Sequence, residues 1–249
     1  MNNDLVCFIP ARRNSKSIPE KNTKLLGGKP LVAWSIETAK NCGLERIVVN
    51  TDDPKIAEIA SRYGVEAQMR PLNLGWDDTP MFDVLRSEIF KLSPVPDHVL
   101  LLQPTSPFRN KNQVNIALGY FLANLEKYDS LVSVERVPEK YHPYAMILES
   151  SSGKRMLFRK LIGWKEKLFS KQKFVGPLLS GFPISTRIMR RQDLPQCWIP
   201  DGSIYLFRAD NLKQGSLYGK QTMLLETEVT RNLNTLEELE EVEKLCAQK

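Results

Sequence analysis

Short apolar, β-branched runs alternate with helical patterns from Leu5 to Val137, and this alternation narrows the fold more than any other feature. Leu5–Ile9 is apolar and stops at Pro10, as a buried parallel strand would. Leu31 to Cys42 places Leu31, Trp34, Ile36 and Ala39 at helical spacing and ends near Gly43. Arg46–Asn50 reads as a second strand. Thr51-Asp-Asp-Pro54 then opens a helix, with Asp53 as N-cap and Pro54 as its first residue, and Gly64 closes it. Further helices are expected over Met81–Lys91 and Gln113–Leu125, and further strands over His98–Gln103 and Ser130–Val137. The implied fold is an open, mostly parallel sheet covered by helices on both faces, a three-layer α/β/α arrangement. Ligands in such sheets bind beyond the carboxyl ends of the strands. Two loops lie there: the one after Ile9, and Gln103-Pro-Thr-Ser-Pro-Phe-Arg109.

The rhythm breaks after residue 137. The stretch to 190 has scattered apolar residues, prolines, glycines and basic segments at Lys165–Lys167 and Lys171–Lys173. It reads as an excursion from the sheet, inserted at 138–200 in one domain spanning 1–249, and is expected to serve as a subunit contact that carries part of an acceptor pocket. Order returns at Ser203–Phe207, and Thr235-Leu-Glu-Glu238 is a capping box for a closing helix.

Charge and cysteine content exclude several classes. The four cysteines are widely spaced and form no CxxC pair, so reduced thiols fit better than a disulfide framework or a structural zinc site. The start, MNNDLVCFIPARR, lacks the pattern of a secretory signal. No apolar run approaches the roughly 18 residues of a membrane span. A cytoplasmic location is therefore expected. Lysine and arginine outnumber acids 35 to 29, but the cations gather in local patches, and no nucleic-acid-binding module accompanies them. Local anion sites are the better expectation.

The first patch is IPARRNSKSIPEKN, from Ile9 to Asn22, with Arg12, Arg13, Lys16, Lys21 and the nearby Lys24. It is not a Walker A loop, and GxGxxG is absent. Strand-end placement suits phosphate held by cations and backbone N–H groups. On spacing alone, a solvated basic loop remains equally open.

That stretch resembles the IPAR-x-x-SK-x-IP-x-KN signature of the acylneuraminate cytidylyltransferases, the CMP-sialic acid synthetases. The likeness continues in order through Leu26-Gly-Gly-Lys-Pro-Leu31, Asn50-Thr-Asp-Asp53, Arg70-Pro71, Asp78-Thr79, Leu101–Pro107, His142-Pro143, Arg190–Pro195 and Gly202-Ser-Ile-Tyr205. The resemblance implies a Rossmann-like nucleotide-diphospho-sugar transferase fold. It also implies attack by a sugar-acid hydroxyl on the α-phosphorus of CTP, with Mg²⁺ as cofactor and a homodimer as the working form. By the matched motifs, Arg12 and Lys21 would hold the phosphates and act in catalysis, Ser15 and Lys16 would shape the loop, and Asn22 and Arg70 would contact the nucleoside. Gln103, Arg191 and Tyr205 would meet the sugar acid. Two of these have plain alternatives: Arg191 as a surface ion-pair residue, Tyr205 as core packing.

Several positions depart from the family pattern. Asn232 and Asn234 stand where an Asp-x-Asp metal motif is usual, so the metal either meets two uncharged amides or the asparagines merely start a helix. Asp201 stands where asparagine is usual and Ile199 replaces an arginine; Asp201 could restore an acid to the site. Pro80-Met-Phe82 replaces small residues near the nucleoside, and Ala145 and Met146 stand where a lysine is common. These changes leave room for a nonulosonic acid other than sialic acid, for a different nucleotide such as GTP, or for a catalytically weakened homologue that only binds.

Overall fold

The computed structural model describes residues 5–138, 141–142, 148–149, 178–179, 195–227 and 232–247. Strand β1 is Leu5–Pro10, followed by a small hairpin, β2 (Leu25–Leu26) and β3 (Lys29–Pro30), and helix α1 (Leu31–Asn41). Then come β4 (Ile47–Thr51), α2 (Pro54–Arg62), β5 (Glu66–Met69), α3 (Met81–Glu88), β6 (His98–Leu101), α4 (Lys111–Ala123) and β7 (Ser130–Arg136). The pair β8 (Leu148–Glu149) and β9 (Leu178–Leu179) precedes β10 (Trp198–Arg208), β11 (Thr222–Glu226) and α5 (Leu236–Ala247).

A seven-stranded sheet runs in the order β11-β7-β10-β6-β1-β4-β5. Strands β6, β1, β4 and β5 pair in parallel, and β10 enters antiparallel beside β6. The expected open, mostly parallel α/β sheet is what forms. Period-two alternation sends Cys7 and Ile9 to one face, where Val32 and Ile36 of α1, Ile56 of α2 and Phe121 of α4 cover them. Val6 and Phe8 point to the other face, against Leu85 of α3, Ile89 and Leu212. Each fully buried side chain of this size contributes about 1.5–3 kcal/mol.

The local signals hold at several ends. Asp53 caps α2 by accepting from the Lys55 amide at 2.9 Å, and Pro54 is the first helical residue. The capping box at the start of α5 also forms: the Glu238 carboxylate accepts from the Thr235 amide at 2.9 Å, and Thr235 Oγ1 accepts from the Glu238 amide at 3.2 Å. Edge strands β5 and β11 were not expected, because both are short and half exposed, with no apolar run in Glu66-Ala-Gln-Met69 and only Met223-Leu-Leu225 in β11.

By contact clustering, Met1–Glu135 with Pro200–Lys249 make one compact unit, and Arg136–Ile199 make a second. Within the second unit, the Val137 amide donates to the Cys197 carbonyl at 3.0 Å. Among the described residues, no helix is long and apolar enough to cross a membrane.

The loop after β6 is closed by Arg109, a buried side chain that sequence reasoning passed over. Its Nε donates to the Ser203 carbonyl at 2.6 Å and one terminal nitrogen to the Gln103 carbonyl at 2.8 Å. Burial lowers its pKa to about 10, opposed by Cys7, Asp201 and Cys42 nearby. The guanidinium thereby ties the strand-end loop to β10. Arg109→Met strands both carbonyls in the interior, so a loss of ~3 kcal/mol is expected, read as a lower urea midpoint with an unchanged slope.

Candidate functional site

A cavity of about 350 Å³ opens beyond the carboxyl ends of β1 and β6. Arg12, Ser15, Lys21, Asn22, Arg70 and Gln103 all line it. Motifs spread over some ninety positions of sequence therefore converge on one space.

The glycine-free loop is held at several points. The Ala11 amide donates to the Asn50 carbonyl at 2.9 Å, and the Arg13 amide to Asp52 Oδ1 at 3.2 Å. Asn22 Nδ2 donates to the Arg12 carbonyl at 2.8 Å, so this side chain ties the end of the loop to its beginning. Ser15 Oγ accepts from the Ile18 amide at 3.4 Å. Ile18 is fully buried against Leu26, Leu31, Leu233 and Leu239, which anchors the middle of the loop under α5. Glu20 takes the one left-handed turn, at φ 52°.

Arg70 and Asp52 form a buried ion pair at 3.1 Å, and Arg70 also donates to Asn50 Oδ1 at 3.2 Å. Burial pulls the Arg70 pKa down more than the Asp52 carboxylate raises it. Its buried Nε has no hydrogen-bond partner among the described residues. Arg12 is more open. One terminal nitrogen lies 2.7 Å from Asp77 Oδ1, and the other donates to the Trp76 carbonyl at 3.2 Å. Lys21, only 8% exposed, donates to the carbonyl of Leu233. Desolvation lowers its pKa to about 8, helped by Arg12 and opposed by Glu238. Three cations thus converge on one cavity with a single acid, Asp77, in its lining, an arrangement suited to a polyanion.

The remaining expected site residues fall elsewhere. Lys16 is exposed and does not line the cavity. Tyr205 lies on β10 opposite Leu101, packed against the cluster of Phe8 and Phe207, and burial raises its pKa to about 12. It too is absent from the cavity lining. Arg191 lies outside the described residues.

Asn232 uses both ends of its amide. Oδ1 accepts from Ser106 Oγ at 2.5 Å, and Nδ2 donates to the Asp201 carbonyl at 2.6 Å. Asn234 is exposed at the start of α5, its amide N–H donating to the Glu238 carboxylate at 2.6 Å. Asp201 does not supply the acid that might replace them. Its carboxylate is buried and accepts from Ser133, Thr227 and the Ser203 amide. Among the described residues no group of three or more His, Cys, Asp or Glu side chains could hold a metal.

Asp52, Trp76, Asp77 and Arg109 escaped sequence reasoning. Of these only Asp52 carried a usable signal, since it directly follows a strand end.

A family model described as "Cytidylyltransferase" matches residues 6–246. Pseudaminic acid cytidylyltransferase of Campylobacter jejuni subsp. jejuni serotype O:23/36 (strain 81-176) is 40% identical over 128 residues, 49% of this chain and 55% of the relative. CMP-N,N'-diacetyllegionaminic acid synthase of Legionella pneumophila subsp. pneumophila is 40% identical over 119 residues, 46% of this chain and 51% of the relative. The chain thus spans about half the length of these curated relatives. Post-translational flagellin modification protein B of Campylobacter coli is 30% identical over 230 residues, 89% of this chain and 85% of the relative. Among solved structures, a CMP:2-keto-3-deoxy-manno-octonic acid synthetase complexed with CTP superposes with a TM-score of 0.66 at 19% identity, covering 99% of both chains. That likeness fixes the fold as the Rossmann-like one of nucleotidyltransferases.

The lowered Lys21 pKa sets a pH dependence for anion binding. A polyanion favours the ammonium form, so binding raises this pKa and takes up a proton near and above pH 8. Affinity for inorganic tripolyphosphate should hold below about pH 8 and weaken above it, the range in which the free lysine loses its charge. Calorimetry in buffers of different ionisation heat reads both effects. Lys21→Arg, which stays charged, should remove the break.

Proposed function

Because the chain belongs to the cytidylyltransferase family, we propose that it activates a sialic-acid-like ulosonic acid with CTP. The anomeric hydroxyl of the sugar acid attacks the α-phosphorus, the bond to the bridging oxygen breaks, and pyrophosphate leaves with CMP joined to the sugar. The observation that carries this reading is the convergence of Arg12, Lys21, Asn22, Arg70 and Gln103 on one strand-end cavity. Relatives whose names specify pseudaminic and legionaminic acids support the substrate class.

In this reading Lys21 and Arg12 hold the triphosphate and offset the charge that gathers in the transition state. Arg12 gives up Asp77, or shares it, when phosphate oxygens arrive. Asn22 acts mainly by fixing the loop that carries Arg12. Arg70, locked by Asn50 and Asp52, contacts the nucleoside. Gln103 stands on the acceptor side, where its amide can both donate to and accept from hydroxyls. Lys16, exposed, meets the phosphates only from outside the cavity. The reading keeps Arg191 for the substrate carboxylate.

Mg²⁺, on this view, arrives bound to the triphosphate, with the exposed Asn234 of the closing segment kept as the side chain that would orient it. The widely spaced cysteines, free wherever described, suit a reducing cytoplasm, and the unit at Arg136–Ile199 suits a homodimer contact. Light scattering at micromolar concentration should give twice the mass of the chain. A monomer there overturns the dimer.

Pyrophosphate release tests the activity itself. With Mg²⁺ and a panel of ulosonic acids, release is expected with CTP and not with ATP, GTP or UTP. Release with GTP alone would replace the nucleotide, and nucleotide binding without release from any pair would make the chain a binding homologue. In the same assay, Asn234→Asp should lower the Mg²⁺ needed for half-maximal rate, since a carboxylate adds charge to the hard-cation site. An unchanged requirement would remove residue 234 from the ion's surroundings.

A further inference from the structure

Among the described residues, Trp76 is the one aromatic side chain in the cavity lining, and it is 63% exposed. A lone exposed tryptophan is ordinary on a protein surface. This one differs in how firmly its backbone is fixed and in what surrounds it.

The turn that carries Trp76 is pinned from both sides. Gly75 is buried against Asp52, where a Cβ would come within 2.4 Å of Oδ2, so the backbone approaches the carboxylate closely. The Trp76 carbonyl accepts from Arg12 at 3.2 Å and from the Thr79 amide at 3.2 Å. Thr79 Oγ1 also donates to the Asn73 carbonyl at 2.8 Å. The backbone is thus preorganised while the indole surface stays uncovered, the economical arrangement for receiving a ligand. The cavity lining is also chemically mixed. Arg12, Lys21 and Arg70 account for phosphates, whereas Leu74, Trp76, Met81 and Val84 add apolar surface that phosphates cannot use. A ligand matching both parts has an anionic tail and a flat, weakly polar body.

We propose that Trp76 is the stacking surface for the nucleobase and thereby a determinant of nucleotide affinity. The inference rests on the cytidylyltransferase reading and adds a contact that none of the matched motifs contains. Stacking of a base on an aromatic side chain is worth ~1–3 kcal/mol, a roughly 5- to 150-fold change in affinity. The contact discriminates little among bases by itself, since every base has a π-face. Base selection would then fall to the polar groups around it, Arg70 and Asn22 foremost.

The test compares calorimetric titrations of CTP and of inorganic tripolyphosphate, both without sugar acid, into wild type, Trp76→Leu and Trp76→Phe. The expected result is CTP bound at least about tenfold more weakly by Trp76→Leu and within about threefold of wild type by Trp76→Phe. Tripolyphosphate should bind all three alike. Unchanged CTP affinity in Trp76→Leu overturns the proposal, as does an equal loss for tripolyphosphate, which would mean that the substitution acts through Arg12 and the turn. If Trp76→Leu keeps full CTP affinity while pyrophosphate release continues, only the stacking role falls. If wild type binds tripolyphosphate but not CTP, the cytidylyltransferase reading falls with it.

Discussion

Asp52 leaves the end of β4 with one carboxylate oxygen accepting from the Arg13 amide and from Arg70, while the other lies where any side chain on residue 75 would have to go. Three segments far apart in sequence are thereby set against one charged group: the basic loop, the strand end carrying Arg70, and the turn carrying Trp76 and Asp77. Burying such an ion pair is costly in itself, because desolvation can exceed the Coulombic gain. Burial is the largest influence on the Arg70 pKa and lowers it, with Asp52 opposing. The arrangement is better understood as positioning than as stability. It fixes a guanidinium and a loop at the cavity wall so that neither has to be ordered when a ligand arrives.

The second constraint comes from the far end of the chain. Leu233 sits in a small apolar cluster with Ile18 and Leu26, its amide donates to the Thr105 carbonyl at 2.7 Å, and its own carbonyl receives the Lys21 ammonium. A single residue, three positions before α5, therefore ties the basic loop and the loop after β6 to the closing helix. Lys21 is buried where it meets Leu233, and that burial depresses its pKa.

This division explains what was legible in the sequence. The sheet, its faces and the caps at Asp53 and Thr235 are local consequences of periodicity and hydrogen-bond chemistry, so a single chain announces them. The basic loop was legible because its cations are close in sequence and follow a strand. Trp76 and Arg109 act across the fold, through partners 64 and 94 positions away in sequence, and nothing in their neighbours' identities signals such contacts, whereas Asp52 was marked only by its place directly after a strand end. Edge strands β5 and β11 escaped for a milder reason, since a half-exposed strand at the rim needs no apolar run.

Asn232 is held at both ends of its amide. Its Nδ2 donates to the Asp201 carbonyl, and Ser106 donates to its Oδ1. A carboxylate at 232 would keep the second bond and lose the first, setting an anionic oxygen against a carbonyl oxygen in a partly buried position. The family resemblance expects asparagine at 201 and aspartate at 232, and this chain carries the acid and the amide the other way round. The exchange does not hand the metal ligand to residue 201, whose carboxylate is consumed within the sheet by Ser133, Thr227 and the Ser203 amide. It removes negative charge from the segment next to Lys21 and leaves that ammonium with a neutral carbonyl as its direct partner. A triphosphate entering this cavity would meet Arg12, Lys21 and Arg70 with only Asp77 among the lining acids to compete for them. On the proposed reading, charge neutralisation would therefore rest more on the protein's own cations than an Asp-x-Asp motif would require.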